Sequence, residues 1–189
     1  MDQYKSETYS HKVDRKGIIV NVSDNWQSFA EENLGVSTCL PKNVIGTHLL
    51  DHIHDRETMH LYELIMHKVR KYRRNAMFSF RCDAPDKRRY LELTVIPLKD
   101  GSLEFKSLII RTELREFVEL MRSDIERSEE YLKICSMCKK IAISETEWKE
   151  VEIAIEKMRL FELEVLPQFT HGLCQPCYSA AISELDSLK

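Results

Sequence analysis

Two pairs of cysteines constrain the fold of this chain more than any other feature of its sequence. Cys135 and Cys138 form one CxxC pair, and Cys174 and Cys177 form a second. Each CxxC spacing places two thiolates on one tight turn, close enough together to bind a single tetrahedral ion. Two such turns complete a four-cysteine shell, so the sequence predicts that both pairs converge on one metal ion, with Zn²⁺ as the expected structural cofactor.

The second pair lies where a helix is expected to begin. Pro176 suits the first helical turn, and the N–H groups at a helix N-terminus favour thiolates. Apolar residues then follow at helical spacing, namely Tyr178, Ala181, Ile182 and Leu185. A metal-binding turn, an intervening segment and a second pair on a helix N-terminus occur in the order typical of a treble-clef zinc finger.

Other roles for these cysteines stay open. They can be buried core thiols, a redox-active dithiol pair, or ligands of an iron–sulfur cluster, since all-thiolate shells also hold such clusters. His171 lies three residues before Cys174. Its imidazole can replace one thiolate as a ligand, orient the shell from outside by a hydrogen bond, or simply pack.

Composition and charge bound the environment of the chain. It has 189 residues and six cysteines, no apolar signal-peptide core near its start and no apolar run long enough to cross a membrane. These features predict a reducing, cytoplasmic setting without membrane attachment. Of the 28 Lys/Arg and 31 Asp/Glu residues, six and nine respectively lie in 135–189. This acidic balance argues against nucleic acid as a partner.

The hydrophobic pattern before residue 113 predicts an α+β domain with two strands, then helices, then three strands. The first two strands form a hairpin, and the later three are indicated by a change of period to two. The expected strands lie at 9–13, 18–22, 77–80, 90–97 and 105–110. The expected helices begin near Ser23, Val44 and Asp55, and the third runs to about Arg74.

The stretch YSHKVDRKGIIVNVSDNWQSFA, followed by NVIGTHLLDHI, resembles the PAS domain. The resemblance covers residues 5–112 and implies a five-stranded antiparallel sheet with helices on one face. PAS domains are sensory and dimerising modules. The resemblance therefore implies signal input and a homodimer rather than catalysis.

The same resemblance implies a ligand pocket between the sheet and the helices. The side chains expected around it are Trp26, Phe29, His54, His60, Phe80 and Leu93. Histidine can ligate a haem iron, and His48 and His52 belong to the same helical region. Haem is therefore an alternative cofactor, although the chain has no CxxCH attachment site and no flavin-reactive NCRFLQ-like motif.

Residues 113–133 predict a helical connector. The segment has no Gly or Pro, and its apolar residues recur at heptad spacing. The seam consists of Leu114, Val118, Met121, Ile125 and Leu132. A coiled-coil dimer is the expected structure, and an amphipathic helix packed on the chain's own sheet is the alternative.

Residues 134–189 predict a small, mostly helical, treble-clef-like zinc module. Ser144 and Glu147 form a capping box, and a helical stripe follows from Trp148 to Met158. LKICSMCKKI, a tryptophan-containing middle and FTHGLCQPCY resemble a module at the ends of bacterial PAS-containing signalling proteins, including sensor kinases and response regulators. In that module the pattern is close to PICxxCKKIR and SHGxCPxC, and Ala142 here replaces the usual Arg.

No motif in the chain indicates an enzyme. The five glycines cannot build a phosphate-binding loop, and a closed four-thiolate site leaves zinc no position for a reactive water. We therefore expect a non-enzymatic cytoplasmic signalling protein whose zinc module binds another protein. A DNA-binding transcriptional regulator that reads with its last helix is one alternative, and a thiol redox sensor in which oxidation ejects zinc is the other.

Overall fold

A five-stranded antiparallel sheet dominates the first part of the computed structural model, which describes residues 7–32 and 38–189. Its strands are β1 (Thr8–Val13), β2 (Ile19–Val22), β3 (Ala76–Ala84), β4 (Lys87–Pro97) and β5 (Leu103–Leu114). Their order across the sheet is β2-β1-β5-β4-β3. The mixed α+β class and the five-stranded antiparallel sheet are confirmed.

The long helix expected from Asp55 is also confirmed. Asp55 caps it by accepting a hydrogen bond from the backbone N–H of Thr58 at 2.7 Å, and Arg73 ends it in a left-handed conformation with φ 53°. Leu61 and Ile65 on its inner stripe are buried. The helices between β2 and β3 are α1 (Trp26–Glu32), α2 (Pro41–Val44), a 3₁₀ helix (Leu49–His52) and α3 (Arg56–Tyr72).

The C-terminal segment contains a second sheet beside its helices, which the prediction of a mostly helical module did not include. Its strands are β6 (Tyr131–Cys135), β7 (Ile141–Ala142), β8 (Trp148–Lys149) and β9 (Gln168–Gly172), in the order β8-β7-β6-β9. Its helices are α4 (Val151–Lys157), a 3₁₀ helix (Leu160–Glu162) and α5 (Gln175–Ser187). No helix in the described residues is long and apolar enough to cross a membrane.

The capping-box signal marks a turn between strands instead of the start of a helix. The Ser144 hydroxyl does accept a hydrogen bond from the Glu147 N–H at 3.1 Å. That turn joins β7 to β8, with Ala142 paired to Trp148. Because Trp148 is taken by the strand, α4 begins only at Val151.

The helical connector predicted for 113–133 is wrong, because the segment is extended and looped. Strand β5 continues through Leu114, a single 3₁₀ turn covers Glu119–Met121, and β6 begins at Tyr131. Val118 and Leu132, read as seam residues, are buried in the chain's own core. The coiled coil therefore has no helix to form it, and a homodimer stays a prediction without this support.

Two arginines anchor the connector by side-chain hydrogen bonds to backbone carbonyls. Arg115 donates to the carbonyl oxygen of Ala84 at 2.7 Å. Arg127 donates to those of Leu120 at 2.8 Å and Pro167 at 3.1 Å. These contacts tie the connector to the end of β3 and to the residue just before β9.

The second sheet and α5 pack directly against the first sheet. Cys135, Cys174 and Leu185 belong to the same buried cluster as Phe78 of β3 and Val69 of α3. Hydrogen bonds also cross this interface along the edge strand β3. The N–H of Arg81 donates to the carbonyl of Met137 at 2.7 Å, and the N–H of Met77 donates to the carboxylate of Glu184 at 2.8 Å.

A buried ion-pair network secures the same interface. Arg81 of β3 donates to Asp83, whose side chain is 0% exposed, and to Glu150 at 2.7 Å just before α4. Arg115 also lies 3.6 Å from Asp83. Removing one partner of such a network leaves a desolvated charge behind.

We expect the substitution Arg81→Met to lower the free energy of unfolding by about 3 kcal/mol, because the buried Asp83 carboxylate loses its closest cation. Arg111→Met is the matched control, since Arg111 and Glu113 pair at the surface and such pairs contribute about 1 kcal/mol or less. Urea denaturation of both variants measures the difference. Equal losses would show that the Arg81 network is not energetically special.

Candidate metal centre

The four cysteines lie on two local structures that the sheet brings together. Cys135 ends β6 and Cys138 lies on the following turn, which closes when the Cys135 N–H donates to the carbonyl of Lys140 at 2.8 Å. Lys139 takes a left-handed conformation there, with φ 61°. Cys174 is the N-cap residue of α5, and Cys177 lies in its first turn. Both CxxC pairs therefore adopt the local geometry expected from their spacing.

Parallel pairing of β6 with β9 makes the two pairs converge. Cys135 lies opposite Gly172 in that register, and α5 begins directly after β9. The Sγ atom of Cys174 is 3.7 Å from the Sγ atoms of both Cys135 and Cys138. All four sulfur atoms lie within 4.8 Å of one another, and among the described residues they form the group suited to hold a metal ion.

These distances fit coordination better than a covalent bond between sulfurs. A disulfide holds its sulfurs at about 2.05 Å. A tetrahedral zinc with bonds of about 2.3 Å separates its sulfur ligands by about 3.8 Å. The observed 3.7 Å separations match the edge of that tetrahedron. The four cysteines can therefore bind one metal ion such as zinc.

Without an ion, the hydrogen bonds among the thiols favour negative charge on Cys135. The thiols of Cys138 and Cys177 donate hydrogen bonds to Cys135, which holds the pKa of Cys135 well below its usual range. The same bonds raise the pKa of Cys138 to about 12 and also raise that of Cys177. The Cys174 N–H adds a hydrogen bond to Cys135 Sγ at 3.5 Å. Binding a cation would replace these shared protons.

The turn that carries Cys135 and Cys138 is anchored by hydrogen bonds to α3, to β9 and to β3. The hydroxyl of Thr58, in α3, donates to the Ser136 hydroxyl at 2.8 Å. The Ser136 N–H donates to the carbonyl of Gly172 at 2.8 Å, and the Met137 carbonyl accepts from Arg81 in β3. These contacts orient the ligands before any ion binds.

Glu57 makes a second anchor between α3 and residues 131–189, which we call the metal segment. Its carboxylate accepts a hydrogen bond from the Leu173 N–H at 2.7 Å and pairs with the Lys133 ammonium at 3.0 Å. Gly172 lies beneath this pair, and a Cβ there would collide with the Lys133 side chain. A larger residue at position 172 would therefore force the flexible Lys133 side chain to move away from Glu57.

His171 lies outside the four-cysteine group. It is on β9, paired in register with Ile134, and it borders a cavity of about 530 Å³ together with Ser136 and Lys139. Loss of hydration and the positive charge of Lys139 lower its pKa. Its assignment as an alternative ligand or an orienting neighbour stays a prediction.

The residues expected around a PAS-type pocket occupy different surroundings. His54 and His60 are exposed, Leu93 is buried in the core, and Phe80 borders the cavity that His171 also lines. The other two are Trp26, whose indole N–H donates to the Cys39 carbonyl at 2.7 Å, and Phe29, which packs on Tyr9. Their grouping into one ligand pocket stays a prediction.

Sequence reasoning missed one histidine of the first domain, His11. Its ring stacks on Phe105 at 4.8 Å and meets the edge of Trp26 at 5.7 Å. Its Nε2 atom is buried and has no hydrogen-bond partner in the described structure. Burial lowers its pKa to about 4, so it is neutral at pH 7. The period-two pattern of β1 does place His11 on the face of Tyr9 and Val13, which was the available signal.

No protein-family model matches this chain, and no curated protein matches it.

We expect Cys135→Ser and Cys177→Ser each to lower the affinity for Zn²⁺ more than about 100-fold, because even outer-shell changes cost 10–100-fold. Cys39→Ser is the matched control, since Cys39 is exposed and lies outside the cluster. Competition with a zinc-binding dye measures the affinities. A Cys135→Ser variant that kept full affinity would place the metal elsewhere.

Proposed function

We propose that this chain is a non-enzymatic, cytoplasmic signalling protein, in which a PAS-like sheet domain is coupled to a structural-zinc module that binds another protein. The order of two strands, helices and three strands supports the PAS-like assignment. Free thiols in six cysteines support a reducing compartment.

The observation that carries this proposal is the closed shape of the four-cysteine site. Cys135 and Cys174 are buried, and all four sulfurs face one another within 4.8 Å. A zinc ion with four thiolate ligands has no open position for water or substrate, which is the arrangement of structural sites. The 3.7 Å separations also favour one ion over an iron–sulfur cluster, since a cluster places iron and sulfide between its cysteines. Haem is the less favoured cofactor, because His54 and His60, the histidines expected beside the pocket, are exposed.

The position of the site supports a coupling role. The cysteine turn and α5 together cover the edge strand β3, through the Met137 carbonyl and the Glu184 carboxylate. The metal site and the sheet therefore share hydrogen bonds at β3, through which a change at one could alter the other. Signal transmission would also require that β3 has two arrangements whose equilibrium both sites bias.

Zinc content and a visible absorption spectrum test the cofactor first. One zinc per chain without a visible band is the expected result, because zinc has a filled d shell. Iron with a charge-transfer band or a Soret band would replace the structural-zinc proposal with a redox or gas sensor. A protein purified without added metal is suitable for both measurements.

Hydrogen exchange on metal removal tests the coupling. We expect the amides of Met77 and Arg81 to exchange at least about tenfold faster after chelation, equivalent to about 1.4 kcal/mol of local opening. The amides by which β1 pairs with β5 are the internal control, since they lie at the far side of the sheet. Unchanged exchange at Met77 and Arg81 would mean that the metal site does not support the β3 edge.

A thiol redox sensor is a second candidate, favoured by the partial exposure of two ligands. Cys138 and Cys177 are accessible, whereas Cys135 and Cys174 are buried. Oxidation would form disulfides and release zinc. Zinc release by mild peroxide, reversed by a thiol reductant with recovery of the fold, would support this candidate. Zinc retained under the same treatment would favour the purely structural role.

A DNA-binding regulator is the less favoured alternative. The expected reading helix α5 has no Lys or Arg within Gln175–Ser187, and it carries Glu184 and Asp186. Contacts with phosphates need cations, and their strength falls steeply with salt. Binding to duplex DNA that tightens as salt is lowered would revive this alternative.

A further inference from the structure

An apolar groove lies away from the cysteines, between the connector (residues 113–133) and the second half of the metal segment. It is formed by residues 116–126 on one side and by residues 152–166 on the other, and its volume is about 650 Å³. This is within the range of about 300–1,000 Å³ typical of binding pockets. The residues that line it are either apolar or glutamate.

Aromatic and aliphatic side chains in this groove are exposed to an unusual degree. Phe117 is 62% exposed and Phe161 is 67% exposed, and Leu163 and Val165 are also exposed. Beneath them Leu120 and Leu160 are buried and give the groove a packed floor. Contiguous exposed apolar surface with a polar rim is typical of an interaction site.

The rim of the groove has a single sign of charge. Its glutamates are Glu116, Glu119, Glu126, Glu152, Glu156 and Glu164. Glu152 is neutralised by Arg88 at 2.6 Å, and Glu119 pairs with Arg122 at 2.8 Å. The remaining four have no ion-pair partner in the part of the chain that the structure describes, and all four are exposed.

We propose that this groove binds an amphipathic helix of a partner protein, with an apolar stripe that enters the groove and Lys or Arg residues that flank it. Charge complementarity selects the cationic flanks. The lining residues belong to no strand, so a partner cannot add a strand here, and side-chain recognition by a helix in a groove is the mode that fits. Anionic lipid surfaces and nucleic acids are repelled by the same glutamates.

This inference rests on the proposed protein-binding role of the module and gives that role a surface and a partner chemistry. It does not involve the metal, because the lining residues include none of the four cysteines. Zinc content and groove binding can therefore fail independently in experiment.

The test uses the full chain with its zinc and a fluorescent helical peptide of about 18 residues, or about five turns. Leucines form one stripe of the peptide and lysines flank it. We expect a saturable rise in anisotropy that weakens with salt. A peptide with glutamates in place of the lysines keeps the stripe, and it should not bind. Equal binding of both peptides would overturn the proposed charge recognition.

Matched variants locate the site. Phe161→Ala should weaken binding at least about tenfold, because exposed aromatic anchors carry much of the binding energy in such grooves. Tyr131→Ala is the control, since Tyr131 is 65% exposed outside the groove. Equal effects of the two would place the peptide elsewhere and overturn the proposal.

Charge variants complete the test. The triple substitution Glu126→Gln, Glu156→Gln and Glu164→Gln should weaken binding about tenfold, mainly through slower association. The control neutralises Glu129, Glu130 and Glu145, which are exposed and outside the groove. Equal losses of binding in the two triple variants would mean that the net charge of the protein, and not the groove glutamates, controls binding.

A second copy of the chain is the competing occupant of the groove. Sedimentation of the wild type and the Phe161→Ala variant distinguishes it. A monomer or an unchanged oligomer supports the partner helix. A dimer that Phe161→Ala dissociates would overturn it in favour of self-association.

Discussion

Parallel pairing of β6 with β9 is the constraint on which the rest of this structure depends. It sets Cys135 opposite Gly172, and it places the start of α5 beside the turn that follows β6. Two cysteine pairs separated by residues 139–173 thereby meet with sulfur separations of 3.7 Å. A bound ion would then link both strands, the turn and α5 at one point. Because a metal bound at a structural site supplies folding free energy directly, an ion bound by these cysteines and this register would stabilise each other.

The same pairing brings hydrogen-bond acceptors to the exposed edge of the first sheet. Strand β3 has unpaired backbone groups on its outer side, and such edges invite pairing with other chains. Here the Met137 carbonyl accepts the Arg81 N–H, and Glu184 of α5 accepts the Met77 N–H. The metal segment thus protects the sheet, and the sheet in turn supports the ligand turn. Side chains from both parts form one buried cluster, so the core is continuous between them.

Several local signals in the sequence predicted the structure correctly, whereas the Ser144–Glu147 capping box and the heptad spacing of the connector did not give helices. The CxxC pairs, the cap at Asp55 and the period-two strands depend on neighbouring residues, and all appear in the structure. The connector is not a helix, and its Arg115 and Arg127 instead bind the carbonyls of Ala84 and Pro167, contacts that no spacing encodes. Leu132 matched the heptad by chance, because the alternation of Leu132 and Ile134 in β6 also places both in the core.

The arrangement of charges explains why one face of the metal segment packs on the first sheet while another face stays exposed. Its acidic residues next to the first domain are neutralised by cations from that domain, as in the pairs of Arg81 with Glu150 and Arg88 with Glu152. Glu156 lies one turn further along α4 and meets the groove instead. The acidic surplus of the segment is therefore not a uniform solvated surface. Part of it holds the module on the sheet, and the part left unpaired surrounds exposed apolar side chains, where only a cationic, amphipathic partner would satisfy both.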